Sequence, residues 1–168
     1  MRTIVYVAVL LVLAGCGYRP VGSGEMSALQ PSVKTISIGM VKNRTFRPTI
    51  QPALRDALAR RLSADGRMRI VEEGADAVLE GAIEGFGEEP LAFGTVDTAK
   101  RLRMSIFFSF TLKKRADEKV LLRDGVTGIA YYYTGSGLAE TKTAQDEATL
   151  RAVADLADQV VSRLLDGV

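Results

Sequence analysis

One cysteine and no histidine leave this 168-residue chain few routes to chemistry. Without an imidazole there is no Ser-His or Cys-His nucleophile pair, and a lone thiol builds no Cys/His metal site. Carboxylates could act alone, but pairs such as Glu72-Glu73 and Glu88-Glu89 read as solvated surface. Neither Gly85-Phe86-Gly87 nor Gly135-Ser136-Gly137 carries the Lys-Ser/Thr of a phosphate loop or the spacing of a dinucleotide turn. Both read as turns. Asn43-Arg44-Thr45 has the form of a glycosylation triplet and also reads as a turn. The expectation is a protein that is not an enzyme and needs no cofactor.

The position of the cysteine is more telling. Met1-Arg2-Thr3 precede an apolar run of 11 residues from Ile4 to Ala14. A short basic start, an apolar stretch and small residues at its end make a secretory signal. The run falls short of the about 20 apolar residues that span a bilayer. Leu13-Ala14-Gly15-Cys16 resembles the bacterial lipobox, whose cysteine takes a thioether-linked diacylglycerol before cleavage. An ordinary signal peptide with an incidental cysteine is the alternative. Residues 1–15 are thus expected to be a signal peptide and Cys16 a lipidated N-terminus. Each buried CH₂ of an acyl chain contributes about 0.8 kcal/mol, so several chains on one residue anchor stably. By resemblance to lipoprotein sorting, Gly17 in place of an Asp points to the outer membrane.

Formal charge is +2, and Arg2 lies in the leader, so the exported part is close to neutral. That argues against a general nucleic-acid binder, which needs a net basic surface.

The elements follow from periodicity. Gly17, Pro20, Gly22, Gly24 and Pro31 make 16–32 a lipidated tether, and 33–168 a single domain. Ile36, Ile38 and Met40 alternate with polar residues, as in a half-buried strand. Ile50, Leu54, Leu58 and Leu62 mark an amphipathic helix that Gly66 ends. Short strands follow near Met68 to Val71 and from Asp76 to Phe86, and Glu88 to Ala99 reads as a loop. Leu102, Met104, Ile106, Phe108, Phe110 and Leu112 alternate along the clearest strand, joined by a turn at Ala116-Asp117-Glu118 to Val120–Thr134. Asp124-Gly125 interrupts that second strand as a bulge would. The last helix, Glu140 to Leu165, carries one stripe of Val153, Leu156, Val160 and Leu164. A second stripe holds Leu150, Ala154, Ala157, Val161 and Leu165. The economical fold is a two-layer α+β sandwich, with two helices packed on one face of a mixed sheet of four to five strands. The other face stays open.

Taken in order after the lipobox, these residues resemble the LPS-assembly (lipopolysaccharide-assembly) lipoprotein family, LptE. The motifs are Cys16-Gly17-Tyr18-Arg19-Pro20, a first strand ending near Asn43, the helix from Thr49, Ala75-Asp76-Ala77-Val78-Leu79-Glu80-Gly81, the long strand after Ala99 and the final helix. The resemblance implies an outer-membrane lipoprotein on the periplasmic side, seated in the lumen of a large β-barrel, LptD. There it would help the barrel to assemble and to insert lipopolysaccharide in the outer leaflet. An anionic amphiphile calls for cations beside apolar or aromatic surface. Arg101 and Arg103, with Phe107, form the candidate face, and Tyr131 and Tyr133 share a face that could meet the barrel wall. Lys142, in the loop before the last helix, lies close to where family members can carry a basic ligand-binding residue. Phe93-Gly94-Thr95 lacks the basic residue that some relatives place beside the aromatic. An ordinary solvated strand face also accounts for the two arginines, a surface charge at a helix start for Lys142, and strand packing for the tyrosines. The alternative function is a periplasmic amphiphile- or lipid-binding lipoprotein without a barrel partner.

Overall fold

The computed structural model describes residues 33–93 and 99–166, and of 92, 93, 99, 100 and 166 the backbone alone. The expected signal peptide, Cys16 and the tether lie outside the described residues, as does most of Phe93-Gly94-Thr95.

The periodicities become seven elements: β1 (Thr35–Asn43), α1 (Ile50–Asp65), β2 (Arg69–Ile70), β3 (Ala77–Phe93), β4 (Ala99–Lys114), β5 (Val120–Tyr133) and α2 (Leu138–Asp166). Helical spacing puts Ile50, Leu54, Leu58 and Leu62 on one buried side of α1. The helix stops where Gly66, at φ 75°, returns its N–H to the Leu62 carbonyl at 3.3 Å. That backbone is left-handed, which glycine adopts without steric cost. At the end of β1, the Asn43 side chain accepts the Thr45 N–H at 2.9 Å, so Asn43-Arg44-Thr45 is a turn.

The sheet order is β2-β1-β3-β4-β5. β1 runs parallel to β2 and β3, while β3, β4 and β5 are antiparallel, so the sheet is mixed. Both helices cover the same face. Ile36, Leu79, Ile106, Phe108, Phe110 and Leu112 meet Leu54, Leu58, Leu156 and Val160 in one core. Gly81 makes room for this packing, because a Cβ there would lie 2.4 Å from the Phe108 ring. On the opposite face Arg101, Phe107, Tyr131 and Tyr133 are exposed, so among the described residues the sandwich has two layers and a bare side.

Three expectations are corrected. The segment from Gly85 is neither turn nor loop: β3 continues to Phe93, with Gly87 opposite Ser105 and Glu89 opposite Arg103. Glycine and proline weaken a strand taken alone, yet here the long alternating β4 supplies a complete partner. A register shift between Ile83 and Gly85 re-aims the strand, so Phe86 and Glu88 turn toward the helices. Asp124-Gly125 is no bulge, since its register with β4 is continuous. Instead the Phe107 ring lies over Gly125, where a Cβ would come within 3.0 Å of it. Finally, Leu150 and Ala154 are exposed, and Ala148 and Ala152 take the buried positions. The inward rows of α2 are 148-152-156-160-164 and 153-157-161-165, each in steps of four. No helix among the described residues is long and apolar enough to cross a membrane.

Candidate functional site on the open sheet face

Strand pairing assembles the site. Arg101 stands opposite Tyr133 and Arg103 opposite Tyr131, with all four side chains on the face away from the helices. The Arg101 guanidinium lies 4.9 Å from the centre of the Tyr131 ring and 6.0 Å from that of Tyr133. Two tyrosines thus wall one cation, which lowers its conformational freedom and leaves its in-plane N–H groups free to fork onto an oxyanion. Arg103 leans the other way, toward Glu89 on β3, with Nη1 3.7 Å from the carboxylate. Among the described residues, its Nε is the buried side-chain polar atom that lacks a hydrogen-bond partner. Phe107, 43% exposed, continues the aromatic surface along β4.

Between Phe107 and the arginines the β3 side of the face carries little side chain, since Gly87 stands opposite Ser105 and Gly85 opposite Phe107, while on β5 Ile129 stands opposite Ser105. Beyond Phe107, in the other direction, lies a shallow trough of about 460 Å³ lined by Lys42, Arg44, Glu80, Lys113, Arg123 and Asp124. Many of its charges already pair within the protein: Arg44 with Glu84 at 2.8 Å and Lys113 with Glu80 at 2.7 Å. Sequence reasoning missed this trough and Glu89. The signal was present in the hairpin register, which sets Glu80 beside Thr111 and Lys113 two residue pairs further, on the same face.

Lys142 is not brought to the cluster. α2 begins at Leu138, so Lys142 lies in its second turn, in the helical layer. Its ammonium pairs with Asp146 one turn on. The loop before it is closed by Ser136, whose side-chain hydroxyl and then backbone N–H hold the Glu140 carboxyl below the usual range. Tyr132, between the two outward tyrosines, faces the helices and bonds Glu88. Among the described residues no cluster of carboxylates could hold a metal ion. What the arrangement offers is therefore recognition: cations framed by aromatic rings on an uncovered sheet.

A model of the LptE family, described as lipopolysaccharide-assembly, matches residues 33–164. The chain belongs to the LptE family. Membership supports a role in lipopolysaccharide assembly, and the matched stretch takes in all but the last residues of the sandwich and includes the arginine–tyrosine cluster. Solved structures share the fold at low identity. Rare lipoprotein B from Shewanella oneidensis superposes with a TM-score of 0.57 at 12% identity, covering 79% of this chain and 95% of that one. A minor lipoprotein from Acinetobacter baumannii gives 0.55 at 15% identity, covering 80% and 94%. A protein from Xanthomonas campestris gives 0.58 at 15%, covering 82% and 87%. No curated protein matches this LptE-family chain in sequence.

Proposed function

We propose that this LptE-family protein is an outer-membrane lipoprotein, anchored through Cys16, that serves as plug and assembly partner of the β-barrel LptD. In that role it supports insertion of lipopolysaccharide in the outer leaflet. One observation carries the reading: an Arg101 guanidinium framed by Tyr131 and Tyr133 on a sheet face that the protein's own helices leave bare. Phosphate groups match Arg101 and Arg103, and the aromatic surface of Phe107, Tyr131 and Tyr133 suits acyl chains or a barrel wall.

The described residues begin far from the site. Near Val33 the chain is clamped to the far end of the sheet: Lys34 N–H donates to Asp76 at 2.9 Å, and Arg115 N–H to the Asp76 carbonyl at 2.8 Å. Arg101 lies at the opposite end of β4, about 40 Å away at ~3.3 Å per residue.

Gentle detergent extraction of the full chain tests the proposal. A barrel of much larger mass should remain attached. Recovery of a monomer alone with bound lipid would end the plug reading and favour a free amphiphile-binding lipoprotein. Fatty-acid labelling of the wild type, lost in Cys16→Ala, checks the anchor separately.

A further inference from the structure

The outer edge of β5 is closed by α2 through contacts that march along both elements together. β5 forms one border of the sheet. Arg151 Nη2 donates to the Tyr131 carbonyl at 3.1 Å, the Ile129 N–H donates to the Asp155 carboxylate at 2.8 Å, and Gln159 Nε2 donates to the Thr127 carbonyl at 2.9 Å. Gln159 also donates to Asp155 at 3.1 Å, tying two rungs together. One turn further, Arg163 pairs at 3.6 Å with Asp124, whose carboxylate accepts the Gly125 N–H at 2.7 Å.

The steps match for a geometric reason. Four helical residues rise about 6 Å, and two strand residues advance roughly 6.7 Å. Residues 151, 155, 159 and 163 therefore fall beside 131, 129, 127 and 125 with the helix antiparallel to the strand. Gly128 permits the approach, since a Cβ there would sit 2.1 Å from the Ala152 carbonyl oxygen. Past Ile36, where β2 no longer covers it, β1 receives a smaller version of the same device, in which Arg55 of α1 donates to the carbonyls of Gly39 and Ile38 at 2.5 and 3.2 Å.

Unpaired edge groups are a template for adding a strand, and a long edge is the more hazardous. β5 has 14 residues and exposes Val120, Tyr131 and Tyr133. We propose that the Arg151–Asp155–Gln159–Arg163 row is an edge guard that keeps β5 from pairing with the β5 of a second copy of this chain. Docking is thereby confined to the uncovered face.

The test is the triple variant Arg151→Ala/Asp155→Ala/Gln159→Ala of the full chain in detergent, followed by sedimentation over a hundredfold concentration range. Wild type should stay monomeric and the variant should dimerise as concentration rises. A folded variant that remains monomeric throughout overturns the guard. Adding Ile129→Pro removes the outward N–H without touching the β4 ladder, a substitution that edge strands accept. It should restore the monomer, and a dimer that persists would show association through another surface and overturn the proposal. Should the triple variant not fold, Asp155→Ala alone is read by amide exchange. Ile129 N–H should exchange at least tenfold faster than in wild type, and unchanged protection would overturn the rung.

Discussion

The Glu88 carboxylate accepts the phenol proton of Tyr132 at 2.7 Å, on the helix-facing side of the sheet. Gln145 of α2 donates to both oxygens of the same carboxylate, at 2.8 and 3.0 Å. Arg47 lies 3.6 Å from it while stacking over Phe86 at 4.7 Å. One carboxylate thus gathers β3, β5, α2 and the loop after β1 behind the arginine–tyrosine face. Burial first, and then the bond to Glu88, push the Tyr132 phenol from 10.0 up to about 12.

Tyr132→Phe should lower stability by about 1.5–3 kcal/mol at neutral pH, the loss of a hydrogen bond to a charged group. The folded pKa lies above the unfolded one, so the neutral phenol stabilises the fold fully below about pH 10. That contribution is lost as pH rises from 10 toward 12. Urea melts across this window should show a steeper alkaline decline in wild type than in the variant. Equal slopes would remove Tyr132 as the cause.

Asp76 ties the starts of β1 and β3 together. Its carboxylate accepts the N–H groups of Lys34 and Thr35 at 2.9 and 2.8 Å and the Thr35 hydroxyl at 2.8 Å. The Lys34 N–H, then the Thr35 hydroxyl, hold its carboxyl below the ordinary value of 3.8. A depressed pKa means stability present above pH 4 and lost as pH falls through and below 3.8. Asp76→Asn should melt at lower temperature at neutral pH and lose part of the acid dependence. A variant with the wild-type acid profile would clear Asp76 of that role.

Gly128→Ala introduces a methyl into the space of the Ala152 carbonyl and the Leu156 side chain, 2.1 and 2.6 Å away. Overpacking of this kind costs about 1–3 kcal/mol. The midpoint of chemical denaturation should fall accordingly. A neutral outcome would mean that α2 can stand off from β5 at no cost.

Arg101→Glu with Arg103→Glu should weaken binding to vesicles containing an anionic lipid A-like amphiphile by roughly tenfold or more, the worth of lost charge-assisted hydrogen bonds. Added salt should weaken wild-type binding as well. Lys142→Glu, on a helix turn and already paired with Asp146 in the wild type, should change it less. Unchanged affinity in the double variant would take both arginines out of the site.

Element order and the hairpin of β4 and β5 were legible from residue order because both periods are local. Alternation from Leu102 to Leu112 and four-step spacing from Ile50 to Leu62 record which side each residue turns inward. The same rule carried the long strand's odd-numbered residues to an open face, Arg101, Arg103 and Phe107 among them. It failed from Gly85 onward, where local propensity speaks against a strand and only pairing with β4 overrides it.

By itself, the order of residues determined the two layers, the end of α1 at Gly66 and the bareness of one sheet side. Tertiary structure alone decided that Arg101 is walled by Tyr131 and Tyr133, that Arg103 reaches Glu89, and that Asp155 meets Ile129. Those contacts depend on register, and register between strands or between helix and edge is a relation at long sequence separation. A single shift such as that at Ile83 and Gly85 moves every later pair, and no window of neighbouring residues contains it.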